Sequence, residues 1–163
     1  MIVFLTMLKA VPKGWFSSKF EIVTGAGPVG LIEMAFASES AEMEIEGNSY
    51  KAYREGIMHG LFLFESATGG ILASADKTSA FERSFELTFD GRTYTLEAES
   101  ALFRKFILIE NGETIGSIYP DGVFTTESTI DLPDTFPVHI QAFMFWLVAL
   151  LWKRASDSAA AGT

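Results

Sequence analysis

Four basic residues of the chain are candidates to bind an anion. Lys51 and Arg54 stand close together, and Arg104 and Lys105 are adjacent further along the chain. Guanidinium and ammonium groups pair with phosphate and carboxylate oxygens, so two such pairs that meet in the fold would suit an anionic headgroup. We predict these four residues as ligand-binding residues; scattered charge that only solubilises the surface is the alternative.

Three glycines have the spacing of a dinucleotide-binding fingerprint. Gly25-x-Gly27-x-x-Gly30 follows a strand-like run, Leu31–Glu39 could be helical, and Glu44 and Glu46 stand near the place where a carboxylate would meet a ribose. Such glycines permit a tight turn, and the following helix N-terminus receives the pyrophosphate. A dinucleotide-binding oxidoreductase is therefore one alternative, although we find no further amphipathic helices from Ser49 onward to complete a parallel sheet. The other interpretation is a turn between two strands.

The remaining reactive side chains form no catalytic or metal-binding pattern. His59 and His139 are the two histidines, too few for a histidine-ligated metal site without added carboxylates. Glu42, Glu44 and Glu46 alternate with apolar residues, which places their carboxylates on one solvated strand face. No nucleophile motif accompanies the histidines, and the chain has no cysteine. We predict no catalytic residue, no metal and no cofactor, and favour a binding protein over an enzyme.

Length and charge limit the classes of protein to which the chain can belong. Its 163 residues, 48% of them hydrophobic, suit one domain with a complete core. The net charge of −9 opposes non-specific attraction to nucleic acid, so we predict no nucleic-acid partner. Met1–Leu8 lacks the flanking features of a secretory signal, and we interpret it as the first strand. We expect a cytoplasmic protein, and peripheral association with a membrane is the alternative.

The elements that must position these residues are organised around the most apolar stretch of the chain. Pro137–Trp152 has no polar residue after Gln141, so every face of the helix it forms is apolar and must be enclosed by protein or by lipid. About seventeen residues at 1.5 Å each span roughly 25 Å, at the short limit for crossing a bilayer. We predict enclosure by protein, with a C-terminal membrane anchor as the alternative.

Both ends of this helix are marked in the sequence. Asp134 or Thr135 can accept hydrogen bonds from the first-turn amides, and Lys153-Arg154 complements the negative C-terminal end. We therefore predict a single domain of residues 1–154 with a central helix at about 137–153. The small and polar residues 155–163 predict a disordered tail.

Turn residues separate short strand-like runs along the first four fifths of the chain. Pairs such as Asp90-Gly91 and Asn111-Gly112 are typical of tight hairpins, and apolar and polar residues alternate within several runs, so the pattern predicts an antiparallel meander with one buried face. The later runs are Trp15–Thr24, Ser49–Glu55, Leu61–Ser66, Ile71–Ala75, Phe81–Phe89, Arg92–Glu99, Lys105–Glu110, Thr114–Tyr119 and Val123–Glu127.

A faint internal repeat and the strand count together predict the architecture. A shift of 44 residues superimposes Gly47–Ser74 on Gly91–Ile118 with five identities in 28 positions, which indicates a duplicated multi-strand unit. Eleven or twelve strands would enclose a space wide enough for a helix about 10 Å across. The predicted fold class is mainly β: a closed antiparallel barrel of about 12 strands around a central hydrophobic C-terminal helix.

Several segments resemble the C-terminal half of the tubby-like superfamily, which includes the phospholipid scramblases and the plant LURP-one-related proteins. The resemblance covers Ser49–Arg154 and is carried by Arg104-Lys105-Phe106 through Asn111-Gly112, Ile115-Gly116-Ser117-Ile118, Gly122-Val123-Phe124, Ile130-Asp131-Leu132-Pro133 and the helix ending Trp152-Lys153-Arg154. It implies a twelve-stranded barrel around a hydrophobic helix, and it is greatest for small, single-domain bacterial relatives. Tubby proteins bind phosphoinositides through a basic patch and scramblases are associated with calcium and acylated cysteines, whereas this chain is acidic and lacks cysteine.

Together these features favour a non-enzymatic binding module. We predict that it recognises a phospholipid headgroup or a protein partner on the barrel exterior. The alternatives are the dinucleotide-binding oxidoreductase and the tail-anchored membrane protein.

Overall fold

The structure, a computed structural model, describes residues 7–14, 18–56, 60–77, 83–101, 103–123 and 125–161. Twelve antiparallel strands close into one barrel around a single helix, which confirms the predicted fold class. The strands are β1 (Leu8–Pro12), β2 (Lys19–Thr24), β3 (Gly27–Ala35), β4 (Ser40–Ile45), β5 (Asn48–Glu55), β6 (Leu61–Ser66), β7 (Ile71–Asp76), β8 (Ser84–Phe89), β9 (Arg92–Ala98), β10 (Phe106–Glu110), β11 (Glu113–Pro120) and β12 (Ser128–Asp131). The helix, α1, is Val138–Ala161.

Each strand pairs with the next one along the chain, and the first pairs with the last, Leu8 facing Ile130. Tight turns make this meander possible. In Glu46-Gly47, Asp90-Gly91 and Asn111-Gly112 both residues have positive φ, between 51° and 82°. Such turns match the twist of antiparallel strands. Closing the sheet removes its edges, so every strand has a partner on both sides.

The core lies between the inward faces of the strands and the helix. From Ile140 to Leu151 every residue of α1 is buried, so the barrel encloses the helix as predicted. The strand residues facing it alternate with exposed ones, as in β4, where Ala41, Met43 and Ile45 are buried. At about 25 cal/mol for each Å² of apolar surface removed from water, burial of the whole circumference of this part of the helix stabilises the fold.

The antiparallel order places the connections alternately at two ends of the barrel. We call the end at which α1 begins the His139 end; there the His139 ring stacks on Tyr50, 4.8 Å between centroids. We call the other the Trp152 end; there the Trp152 Nε1 donates a hydrogen bond to the carbonyl of Arg104, 2.8 Å away. Each connection from an odd-numbered strand to the next strand, such as β1–β2 and β3–β4, lies at the Trp152 end. The connections that follow even-numbered strands, such as β4–β5, lie at the His139 end.

Helix α1 differs from its predicted bounds at both ends. It begins at Val138, and the amides of Ile140 and Gln141 donate to the carbonyl of Pro137, so Pro137 occupies the position before the helix. Residues 155–161, assigned from the sequence to a disordered tail, continue the helix into solvent. The extra turns are alanine-rich and carry an ion pair from Lys153 to Asp157, both of which favour helix.

One predicted strand is wrong, and another lies mostly outside the described residues. The run Val123–Glu127 is wrong: its described residues lie in the connection between β11 and β12, and the last strand is Ser128–Asp131. The predicted first strand, Met1–Leu8, lies outside the described residues except for its last two positions; the first described strand starts at Leu8. The pairing of β12 with β1 joins Ser128–Ile130 to Leu8–Ala10.

The glycine fingerprint lies in the hairpin between β2 and β3. Residues after Gly30 continue strand β3, where the dinucleotide motif requires a helix. Gly27 has φ 128°, which suits glycine, and a Cβ on Gly30 would approach the carbonyl oxygen of Glu44 on β4 to 2.8 Å. These glycines serve a turn and a close approach of two strands, so the hairpin gives no support to the dinucleotide-binding alternative.

The repeat is real and has three copies. The 44-residue shift superimposes β5–β7 on β9–β11, and the register irregularity after Phe64 recurs after Leu108, 44 residues later. A third irregularity follows Ile22 between β2 and β3, so four strands form each of three units: β1–β4, β5–β8 and β9–β12. Each bulge leaves one residue unpaired and increases the local twist that closure of the barrel needs.

Candidate functional site at the Trp152 end of the barrel

The four predicted ligand-binding residues do not form one patch. Lys51 lies on the outer wall on β5, opposite Glu42 and Glu65, in a groove of about 470 Å³ that is rich in carboxylates. Arg54, also on β5, lies at the Trp152 end. Arg104 and Lys105 precede β10, which is separated from β5 by the four strands β6 to β9, and are therefore on a different side of that end.

Arg54 is held by a partly buried carboxylate. Its Nη1 donates to Glu39 Oε1 at 2.8 Å, while the Nε of Arg154 donates to Glu39 Oε2 at 2.8 Å. Glu39, whose side chain is 18% exposed, lies in the connection between β3 and β4. One carboxylate therefore joins that connection, β5 and α1. This is a structural role: it fixes the helix at the mouth of the barrel, and it leaves Arg54 less suited to an external anion.

Arg104 is the predicted residue that remains best placed for a ligand. Its guanidinium lies 4.9 Å from the Trp152 ring centroid and donates a long hydrogen bond, 3.4 Å, to the carbonyl of Thr125. Burial lowers the pKa of Arg104 from its ordinary value, although a guanidinium stays charged at neutral pH. No carboxylate of the described residues forms an ion pair with it. Lys105, beside it, pairs with Glu99 at 3.4 Å.

Arg83 is a functional candidate that the sequence reading missed. It precedes β8, and its guanidinium lies 5.3 Å from the ring centroid of Phe106, the first residue of β10. Its Nε is buried and has no hydrogen-bond acceptor within the described part of the chain. Arg83 and Arg104 thus present two guanidinium groups from neighbouring connections, both placed against aromatic rings and both without a carboxylate partner among the described residues.

Two large apolar side chains are exposed beside these arginines. Phe103, next to Arg104 in the connection between β9 and β10, is 63% exposed, and Val123, in the connection between β11 and β12, is 82% exposed. The hydrogen bond from Arg104 to Thr125 links these two connections. We call the set Arg83, Phe103, Arg104, Lys105 and Val123 the arginine rim. Exposed apolar groups flanked by cations are characteristic of a surface that binds a partner.

The two ends of the barrel differ in charge. The six connections at the His139 end hold three carboxylates, Glu46, Asp90 and Asp134, and neither lysine nor arginine. At the Trp152 end, the described connections hold four carboxylates, Glu39, Glu99, Asp121 and Glu127, and the first three form ion pairs, Asp121 with Lys9. The net charge of −9 is therefore unevenly distributed, and the arginine rim is a locally cationic region on an acidic molecule.

The other predicted acidic and histidine residues lie elsewhere. Glu42 and Glu44 are on the exposed face of β4, which confirms their shared face, and Glu46 is in the turn that follows. His139 is at the opposite end of the barrel from the arginine rim, and His59 lies outside the described residues. Within the described ranges, no group of three or more carboxylates and histidines could hold a metal ion.

Comparison of the chain with family models, with curated proteins and with solved structures finds no match. The resemblance to the tubby-like superfamily stays a prediction that no comparison tests. The described residues contain no helix both long and apolar enough to cross a membrane. The membrane-anchor alternative requires the apolar residues of α1 to contact lipid. In the structure these residues are buried inside the barrel.

A sequence signal for the arginine rim did exist. Leu102-Phe103-Arg104-Lys105 and Gly122-Val123-Phe124 place apolar residues between strands, where turns are usually polar, and set basic residues beside them. Arg83 had no such signal. Its contact with Phe106 joins residues more than twenty positions apart, and only the barrel brings them together.

Proposed function

We propose that the protein is a non-enzymatic module that docks on an anionic phospholipid surface through the arginine rim. The single observation that carries the proposal is the combination, on neighbouring connections, of exposed Phe103 and Val123 with the guanidinium groups of Arg83 and Arg104, which have no carboxylate partner among the described residues. The family resemblance implies lipid binding in related proteins and supports the same class of partner.

The chemistry of the rim matches the two layers of a membrane interface. Arginines pair with lipid phosphates at the headgroup level, and each basic residue near an anionic surface contributes about 1 kcal/mol. Aromatic and aliphatic side chains on loop tips enter the boundary of the acyl region, where their burial is favourable. Phe103 stands next to Arg104, so one connection supplies both contacts.

The charge distribution supports one orientation of the protein. With the arginine rim on the membrane, the carboxylates of the His139 end point away from the anionic surface by roughly the length of the barrel. Exposed charges separated by more than about 8 Å are largely screened at physiological salt, so distant carboxylates cost little. A net negative protein can therefore bind a negative surface.

The test is co-sedimentation with phosphatidylcholine vesicles that contain about one third phosphatidylserine, compared with pure phosphatidylcholine vesicles. We expect binding to the anionic vesicles that weakens with salt. Arg83→Gln with Arg104→Gln should reduce the partition coefficient about thirty-fold, the equivalent of about 2 kcal/mol. Phe103→Ser with Val123→Ser should also reduce it.

Matched controls come from the other end of the barrel. Arg92→Gln removes one charge at the His139 end, and Ile71→Ser removes an apolar side chain that is 51% exposed there. Both variants should bind anionic vesicles as the unmodified protein does. Equal loss in rim and control variants, or no enrichment on anionic over neutral vesicles, would overturn the proposal and leave a protein partner as the occupant of the rim.

A further inference from the structure

Three polar side chains form a network where the barrel closes. Lys9 on β1 and Thr129 on β12 face each other across the pair of strands that joins the two ends of the barrel sheet. Asp121 is the first residue of the connection from β11 to β12, 112 positions after Lys9. We call these three side chains the closing network. None of them belongs to the arginine rim, but Asp121 begins the connection that carries Val123.

The closing network fixes the orientation of the Asp121 carboxylate. Lys9 Nζ donates to Asp121 Oδ2 at 3.0 Å and to Thr129 Oγ1 at 2.7 Å, and the Thr129 hydroxyl donates to Asp121 Oδ1 at 2.5 Å. Both carboxylate oxygens therefore accept a hydrogen bond. Thr129 is only 2% exposed, so the network differs from an isolated surface ion pair, which is screened and contributes little.

The connection is held on both sides of Val123. The amide of Asp121 donates to the carbonyl of Glu127 at 2.8 Å, which closes the base of the connection. The amide of Glu127 donates to Thr125 Oγ1 at 3.0 Å, and the carbonyl of Thr125 accepts the hydrogen bond from Arg104. The closing network thus attaches one side of the connection to β1, and Arg104 attaches the other side to the rest of the rim.

A fixed backbone below an exposed apolar side chain suits contact with a partner. Val123 is 82% exposed, so its side chain contributes little to the packing of the barrel. A loop that already has its bound conformation loses less conformational entropy on binding than a loop that must first become ordered. The support that the closing network gives to Val123 therefore favours binding.

We propose that Asp121, together with Lys9 and Thr129, positions Val123 for contact with the anionic phospholipid surface. This inference rests on the proposed function and adds a condition to it. The arginine rim is complete only when β1 and β12 are paired, because the closing network joins both strands to the connection that carries Val123.

Asp121→Asn separates positioning from charge, because the two effects have opposite signs. Loss of a carboxylate beside a cationic rim should by itself strengthen binding to anionic vesicles. The positioning role predicts weaker binding, since the amide group cannot accept from both Lys9 and Thr129 as the carboxylate does. With vesicles that contain one third phosphatidylserine, we expect the partition coefficient to fall about threefold, within the limit of about tenfold for the burial of one valine side chain.

Glu99→Gln is the matched control. It is the same change of charge at the same end of the barrel, and it releases Lys105 from its ion pair. This variant should bind as the unmodified protein does or up to about fivefold more tightly. Binding by Asp121→Asn that is unchanged, or stronger as in Glu99→Gln, would overturn this inference alone. Failure of the unmodified protein to bind anionic vesicles would overturn the proposed function and this inference with it.

Thr129→Val tests the network without any change of charge. Valine keeps the β-branched shape and removes the hydroxyl, so this variant should also weaken binding. In a Val123→Ser background, neither Asp121→Asn nor Thr129→Val should weaken binding further, because the side chain that they position is absent. Equal weakening with and without Val123, or a lower melting temperature with an unchanged partition coefficient, would assign the network to barrel stability alone. If Thr129→Val does not fold, the Asp121→Asn measurements in the two backgrounds decide the question.

Discussion

At the scale of single residues, the barrel interior tolerates few polar atoms, and the exceptions are informative. Trp146 is fully buried at the centre of α1, with its ring 5.8 Å from Phe62 and 6.0 Å from Phe143. Its Nε1 is also buried and has no acceptor among the described residues. Trp146 therefore contributes packing, while its one polar atom opposes folding.

Trp146→Ala should lower the free energy of unfolding by about 3–5 kcal/mol, because the hydrogen-bonded strands around it cannot collapse into the space left. Trp146→Phe should lower the free energy of unfolding much less. Phenylalanine keeps an aromatic ring at this position and removes a buried donor that costs about 1–3 kcal/mol. Denaturant unfolding measures both, with Phe103→Ala, an exposed position, as the control expected within about 0.5 kcal/mol of the unmodified protein. A cost for Trp146→Ala as small as that of the control would contradict the assigned role.

His139 makes stability depend on pH. Burial lowers its pKa below the ordinary value, 6.5, so the unfolded chain takes up the proton first as the pH falls. The contribution of His139 is complete above about pH 6.5 and is lost as the pH falls from there towards the lowered value. His139→Phe keeps the stack on Tyr50 and Phe64 and removes the titration.

The melting temperature of His139→Phe should therefore fall less than that of the unmodified protein between about pH 7.5 and pH 5. Carboxylates and the second histidine titrate in both proteins, so the difference between the two curves isolates His139. Parallel curves would show that this ring does not titrate differently on unfolding.

At the scale of elements, α1 combines two parts with different roles. Residues 140–151 are buried and fill the barrel, whereas residues beyond Arg154 are exposed. Arg154 contacts the barrel wall through Glu39. The helical conformation continues from there to Ala161.

Deleting residues 155–163 should leave the melting temperature and the solubility unchanged, because residues 155–161 are exposed. Deleting everything after Pro137 should give insoluble protein, since an empty apolar barrel cannot stay open in water. Gel filtration and thermal unfolding of the two truncated proteins test this. A soluble, monomeric and cooperatively unfolding chain that ends at Pro137 would show that α1 is not the core.

At the scale of the whole molecule, three four-stranded units and one helix form a barrel with two different ends. Equivalent pairs recur across the ladder: Ala10 faces Ile22, Ala52 faces Phe64 and Leu96 faces Leu108. The units share packing positions and bulges, whereas their connections differ. Charge and exposed apolar surface can therefore differ between the two ends, and the arginine rim lies at the Trp152 end of this common scaffold.

The enclosed helix, the alternation of buried and exposed residues in the strands and the closed barrel could all be predicted from the sequence alone. The reason is that hydrophobic periodicity and tight-turn residues are local signals. The sequence also showed two of the three repeats; the third shares too few identities and has a shorter offset.

The sequence did not determine which side chains meet. Lys51, Arg54 and Arg104 are all basic residues, and the sequence does not distinguish their surroundings. Closure of the barrel places Lys51 in an acidic groove, Arg54 against Glu39 and Arg104 in the arginine rim. The three glycines of the β2–β3 hairpin match a nucleotide motif because spacing alone does not distinguish a turn before a strand from a turn before a helix. Only pairing with β4 decides it, and such long-range contacts leave no periodic trace in the chain.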